Sequence, residues 1–286
     1  MYSTFLPTKR SGNWFGAHQK FDKLAYRLLL PCIKPGFFPK LEDMLHFEGY
    51  NGPDGLIAKS PGKNEPRHYY DPKREQGPVL EHIASHFEML VTKLRQQDYL
   101  RAAFEAAWLA HAVTDGLTPA HHHGYVEKVK DLHAQANHQV SKVRDKVIIK
   151  GSSGRETMRH TWQLWRSKGQ LTSHTHFEAG VASALVTSGL SNLYLPEPLF
   201  AAAKKLGPVK FFQAQARLID HLGLFDRFTK NGWTIGLARQ VRKVLAPAIA
   251  QTIAIVWLLA YAQAGNAVDL SQPVASLDTV PVRIDH

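Results

Sequence analysis

The sequence predicts an all-α protein, a multi-helix bundle, and three observations lead there. Sustained period-two alternation of Val, Ile, Thr and aromatic residues is almost absent, whereas apolar residues recur at three- and four-residue steps throughout. The chain has 286 residues and 44% of them are hydrophobic, enough for a substantial core. Its single cysteine, Cys32, excludes a disulfide framework within the monomer and a Cys-rich metal knuckle. Any metal must therefore sit on His, Asp and Glu.

Asn13 is a candidate cap for a first helix that carries His18, Phe21, Ala25 and Leu28 on one face. Residues 31–78 read as a long loop rich in Pro, Gly, Asn and Asp, with at most a short helix near Leu41 to Phe47. Loops of that length inside a compact domain are usually functional or disordered. Helical patterns resume at 79–97 and 98–115, joined near Gln97 and Asp98. A basic stretch at about 124–172, broken by GSSG at 151–154, reads as an insertion, either a helical hairpin or a partly mobile arm. Further helices are expected near 174–188, 196–206, 208–224, 230–243 and 245–264. An extended tail follows at about 266–286, and no internal repeat is visible. The whole chain, 1–286, is expected to form a single domain.

The formal charge of +11 favours anionic partners: phosphate esters, nucleic acid or an anionic membrane surface. The stretch MYSTFLPTKRSGNWFG lacks the apolar run of a signal peptide, which points to the cytoplasm or to peripheral membrane attachment. Residues 244–265 form the longest apolar run, long enough to span a bilayer. Pro247, Gln251 and Gln263 interrupt it, and it reads better as a buried core helix.

Chemistry is concentrated in spaced histidines and carboxylates. On the helix of 98–115, Phe104, Ala107 and Trp108 mark an apolar stripe that His111 and Asp115 continue. Both side chains therefore point towards the core. A buried imidazole beside a buried carboxylate must be hydrogen bonded or metal bound. His174 and Glu178 repeat the spacing on a second helix, with Val181 and Leu185 extending their face. Two inward-facing His and carboxylate turns on different helices are what a two-metal site in a helix bundle requires. The long loop adds Asp54 within NGPDG and His68 within EPRHYYDP, each also an ordinary turn or loop residue.

Taken together, His18, the GPD of Asp54, the HYYDP of His68, HAVTDGLTPAH and HTHFE resemble the zinc-dependent phospholipase C family, whose wider superfamily includes the S1/P1 nucleases. The match is one of pattern over roughly residues 14–264, and its most specific part is H-x3-D-x5-H followed by H-x3-E. The resemblance implies a bundle with a metal cluster in its core and a long ligand-bearing loop. It assigns His68, His111 and Asp115 to one Zn2+, and His121, His174 and Glu178 to a second. Asp115 would also bridge towards a third metal near His18, and Asp54 would act as general base or as a ligand. On this reading Gly116 and Pro119 end the helix so that His121 turns back towards a different metal.

Two departures stand out. Secreted members complete the third site with a processed N-terminal Trp, and Trp14 here is internal to the chain. The distance in sequence from His121 to His174 is also far longer than in the compact secreted members, so nothing about 124–172 is inherited. Among competing histidines, His82 and His86 form an i, i+4 pair with no evident partner. His122 and His123 lie next to His121, and His176 competes with His174 but falls on nearly the opposite face from Glu178.

The resulting expectation is a zinc-dependent phosphodiester hydrolase acting on a phosphate ester, phospholipid first and nucleic acid or a nucleotide as the alternative. Tyr50, Tyr69 and Tyr70 are candidates for stacking on a base or lining a choline-type pocket. A different class remains: a non-catalytic, zinc-stabilised protein that binds a membrane or a partner.

Overall fold

The computed structural model describes residues 16–49, 51–59, 69–122, 152–165, 170–186 and 193–271. The helices, in chain order, are α1 (Ala17–Leu29), α2 (Leu41–His46), α3 (Pro53–Lys59), α4 (Val79–Arg95), α5 (Tyr99–Leu117), α6 (Gly154–Trp165) and α7 (Gln170–Val186). They continue with α8 (Glu197–Leu206), α9 (Pro208–Asp220), α10 (Leu224–Asn231), α11 (Ile235–Gln240) and α12 (Ala246–Gln263). Among the described residues the extended pairing is a single antiparallel bridge, Asp71 to Gln76. The fold is all-α, as the periodicity requires.

Two helices form the centre. On α5 the buried positions run almost without a break from Ala102 to Leu117, and on α12 they run from Ile249 to Tyr261. Helices buried all round belong at the middle of a bundle. Alanines at 102, 103, 106, 107 and 110 let neighbours approach α5 closely, and Trp257 of α12 donates its Nε1–H to the Ala106 carbonyl at 3.0 Å. Around this pair, α1 packs on α12 and α4 packs on α5. The apolar run read as a core helix is one. With α11 and a π-helical turn at Val241–Leu245 it makes a continuous helix, Ile235–Gln263, apolar enough to cross a membrane, but 78% of its most apolar window is buried inside the molecule.

Several boundaries differ from the sequence expectation, each for a local reason. Gly16 takes the N-cap of α1 with extended backbone, and Asn13 lies outside the described residues. Among the described residues of 31–78, the short helix expected near 41–47 is α2, and a further one, α3, carries Asp54 in its first turn. A helix of seven residues is too short to display apolar periodicity. The segment read as 208–224 stops at Asp220, because Gly223 adopts a left-handed conformation (φ 57°) and starts α10 in a new direction. The segment read as 230–243 is broken by Gly232, also at positive φ, before α11 begins. Residues 123–151, most of the basic insertion, lie outside the described residues, and α6 occupies part of its remainder.

The end of α5 is the correction that bears on function. Gly116 does not stop the helix, which continues to Leu117 and caps at Thr118 in extended conformation. The Thr118 hydroxyl donates to the Thr114 carbonyl at 2.7 Å, and Pro119 opens a 3₁₀ turn, Pro119–His121. Gly116 is needed for space: a Cβ there would run into the Phe212 ring of α9. Gly116→Ala should therefore lower unfolding stability by roughly 1–3 kcal/mol through overpacking. Urea denaturation checks this, and an unchanged midpoint would contradict it.

Candidate metal centre

Six elements deliver ionisable side chains to one place beside the C-terminal half of α5. His18 comes from α1, Glu48 from the turn after α2, Asp54 from α3, His111 and Asp115 from α5, His121 from the 3₁₀ turn, and Glu178 from α7. Asp115 is the point of convergence. Its Oδ1 lies 3.2 Å from His18 Nε2 and 3.6 Å from His121 Nε2, and its Oδ2 lies 3.1 Å from His111 Nε2. His121 Nε2 also meets Glu178 Oε1 at 2.9 Å, and Asp54 Oδ1 is 3.9 Å from His111 Nε2.

Local structure explains each placement. His111 and Asp115 are one turn apart on a helix, so both face the same way. The Tyr70 N–H donates to the His121 carbonyl at 3.3 Å, and the buried His122 ring donates from Nε2 to the Gly116 carbonyl at 2.8 Å. These two bonds hold the turn that aims His121. Gly52 closes the loop between Glu48 and Asp54, since a Cβ there would strike the Glu48 carbonyl.

Burial is graded across the cluster. His18 and Glu48 are fully buried, Asp115 and His111 nearly so, while His121 and Asp54 keep side-chain exposures of 11% and 15%. The cluster thus has a closed inner wall and an open side formed by Asp54 and His121.

The charges are strongly coupled. Burial alone would lower the His111 pKa, but the carboxylates of Glu48 and Asp115 outweigh it and raise it well above the ordinary imidazole value. Burial, then the Glu48 carboxylate, pushes Asp22 well above the usual carboxylate range. For Asp54, burial opposes ionisation, yet His111 and His18 overcome it and hold its pKa below the usual carboxylate value.

The donor chemistry fits a divalent metal. Imidazole nitrogens and carboxylate oxygens suit zinc, and two such atoms bound to one tetrahedral ion lie about 3.3 Å apart. The separations of 3.1, 3.2 and 3.6 Å around Asp115 and 2.9 Å between His121 and Glu178 bracket that value. His18, Glu48 and His111 each offer a ligand atom within 4.8 Å of one another, and this buried group could hold a metal ion.

Of the eight residues singled out in the sequence, the structure brings together His18, Asp54, His111, Asp115, His121 and Glu178. His68 lies outside the described residues, and His174 stands on α7 one turn before Glu178 with its side chain outside them. His176 is exposed and lends its carbonyl to Trp233 Nε1, as its opposite face predicts. Two further carboxylates belong here that the sequence reading missed. Asp22 follows His18 by four positions, and Glu48 continues the buried stripe of Met44 and Leu45 at steps of four and three. The spacing that selected His111 and Asp115 would have found both.

Two other expectations change. His86 has a partner after all, donating from Nδ1 to Glu105 Oε2 at 2.7 Å across α4 and α5. Tyr70 is not available for stacking on a ligand: it is fully buried, with its ring 5.2 Å from that of Phe212.

No family model matches the chain, and no curated protein matches it. Among solved structures, the chain is similar to the alpha-toxin of Clostridium perfringens isolated from an avian strain, with 12% identity and a TM-score of 0.41. The likeness covers 85% of this chain and 62% of that one, so the chain spans less than two thirds of that protein.

The raised His111 pKa has a definite consequence for the metal-free chain. A group whose folded pKa is raised contributes stability that is full below its unfolded value, ~6.5, and lost as pH rises through the folded value. Chelator-treated protein should lose urea stability from about pH 6 to about pH 8 more steeply than its His111→Gln variant. A parent curve no steeper than the variant's would contradict this assignment.

Proposed function

We propose that the chain is a zinc-dependent phosphodiester hydrolase, with a phospholipid head group as the first substrate class. The observation that carries the reading is Asp115 set among three imidazole Nε2 atoms, at 3.1, 3.2 and 3.6 Å, with a further carboxylate on His121. The order and spacing of these residues in the sequence, which resemble the zinc-dependent phospholipase C pattern, support it independently. His68 is proposed to join His111 and Asp115 on one metal and His174 to join His121 and Glu178 on another, with His18 and Asp115 directed at a third.

When bound, zinc supplies Lewis acidity towards a phosphoryl oxygen and a water of lowered pKa. The chain's own groups do the rest. His18, His111 and Asp115 form a closed wall that excludes bulk solvent and fixes where the charge sits. Asp54 stands at the open side, where its carboxylate would accept a hydrogen bond from the attacking water and orient it. A net charge of +11 favours an anionic partner such as a phosphodiester. The same charge suits nucleic acid, which makes a nucleotide diester of the S1/P1 type the second substrate to test.

The test uses zinc-loaded protein on phosphatidylcholine vesicles and, separately, on single-stranded DNA, with release of phosphorylated product as the readout. Asp54→Asn should keep its fold and zinc while losing at least about 100-fold in turnover, the loss of a positioned proton acceptor. Unimpaired turnover in that variant would exclude the proposed role. No hydrolysis of either substrate by the parent would leave the zinc as a structural clamp on the loop.

A further inference from the structure

Glu48 stands apart from the other carboxylates of the cluster in which imidazole nitrogens it faces. The His18 and His111 rings are stacked, with centroids 4.0 Å apart and planes within 4° of parallel. Along one edge of this stack both Nε2 atoms face Asp115, at 3.2 and 3.1 Å. Along the opposite edge both Nδ1 atoms face a single oxygen, Glu48 Oε1, at 3.4 Å from His18 and 2.6 Å from His111. One carboxylate therefore addresses two rings, and does so from behind.

The 2.6 Å contact decides what lies between Glu48 and His111. Two atoms sharing a tetrahedral zinc stand about 3.3 Å apart, whereas an imidazole N–H donating to a carboxylate closes to roughly 2.7 Å. Although these groups are near enough to share an ion, the 2.6 Å separation fits a proton between Glu48 and His111 better than a metal. With Nδ1 carrying the proton, the lone pair of a neutral His111 is on Nε2, the edge that faces Asp115 and Asp54. Glu48 is itself fully buried, and its second oxygen, Oε2, has no hydrogen-bond partner. Among the described residues, the hydrogen bond from His111 Nδ1 is what holds that carboxylate.

We propose that Glu48 is a positioning residue that fixes the tautomer and orientation of His111 and, through the stacked pair, the placement of the His18 ring, so that their Nε2 atoms face the metal. This rests on the metal-binding reading of the cluster, though not on the substrate. Carboxylates in this position behind a metal-bound histidine typically change metal affinity by 10–100-fold. The His18 ring is stacked on His111 with its Nδ1 facing the same Glu48 oxygen at 3.4 Å without a hydrogen bond, so what tilts His111 also displaces the ring packed on it.

The test reads the metal and the rings, not hydrolysis. Cadmium-loaded protein with isotope-labelled histidine should show, by scalar coupling in NMR, metal bound to Nε2 of His18 and His111, with Nδ1 of His111 bearing a proton. Glu48→Gln should take up the same number of zinc ions at saturation, with affinity about 10–100-fold lower, and Glu48→Asp should recover little because its shorter arm cannot reach both rings. Coupling of the metal to Nδ1 would overturn the proposal in the parent chain, whether or not any variant folds. Loss of one zinc equivalent in Glu48→Gln would also overturn it, by making Glu48 a ligand. A parent that takes up no metal would instead defeat the metal reading itself, and bound metal without hydrolysis would defeat only the proposed reaction.

Discussion

The arrangement depends on the Asp115 carboxylate, a buried negative charge in the last turns of the central helix. Burying a carboxylate is costly unless it is paired and hydrogen bonded. Here it is compensated by His18, His111 and His121, which arrive from α1, from its own helix and from the 3₁₀ turn. Core packing fixes its position: α5 is buried on nearly every side and tied to α12 through Trp257. The site is thus anchored where α5 meets the core, with the turn and α3 closing over it.

That division matches the chemistry asked of it. The inner wall of His18, Glu48, His111 and Asp115 is almost completely out of water, and low-dielectric surroundings strengthen each of its electrostatic contacts. Asp54 and His121 keep contact with solvent and form the open side of the cluster. Without metal, the same wall is a set of carboxylates competing for the proton of His111, so metal binding and proton release are linked.

Much of this was legible in the sequence, for physical reasons that also explain the omissions. Helical period identified the all-α class and the core role of the late apolar run, four-residue spacing picked out His111, Asp115 and Glu178, and the resemblance in motif order added His18, Asp54 and His121 to the six residues that the fold brings together. The short helix α2 lies where the sequence placed it, near 41–47, whereas α3 was not legible because its seven residues show no full period. Glu48 and Asp22 carried the same legible signal, steps of three and four from Met44, Leu45 and His18, but lie outside the histidine-and-carboxylate pattern of the resemblance. Gly116 was read as a helix stop, whereas its missing side chain makes room for Phe212, a tertiary demand with no local signature. The pairing of His86 with Glu105 likewise joins two helices, and no local pattern on either one announces it.

The most direct test of the central claim is the metal content of the chain purified without chelator and without a histidine tag, measured beside an Asp115→Asn variant of equal helicity. The account predicts two or more zinc ions per parent chain and a clear loss in the variant, because the carboxylate at the convergence point would be gone. A parent that holds no metal, and takes up none from added zinc, would contradict it and leave these histidines and carboxylates as a purely structural network.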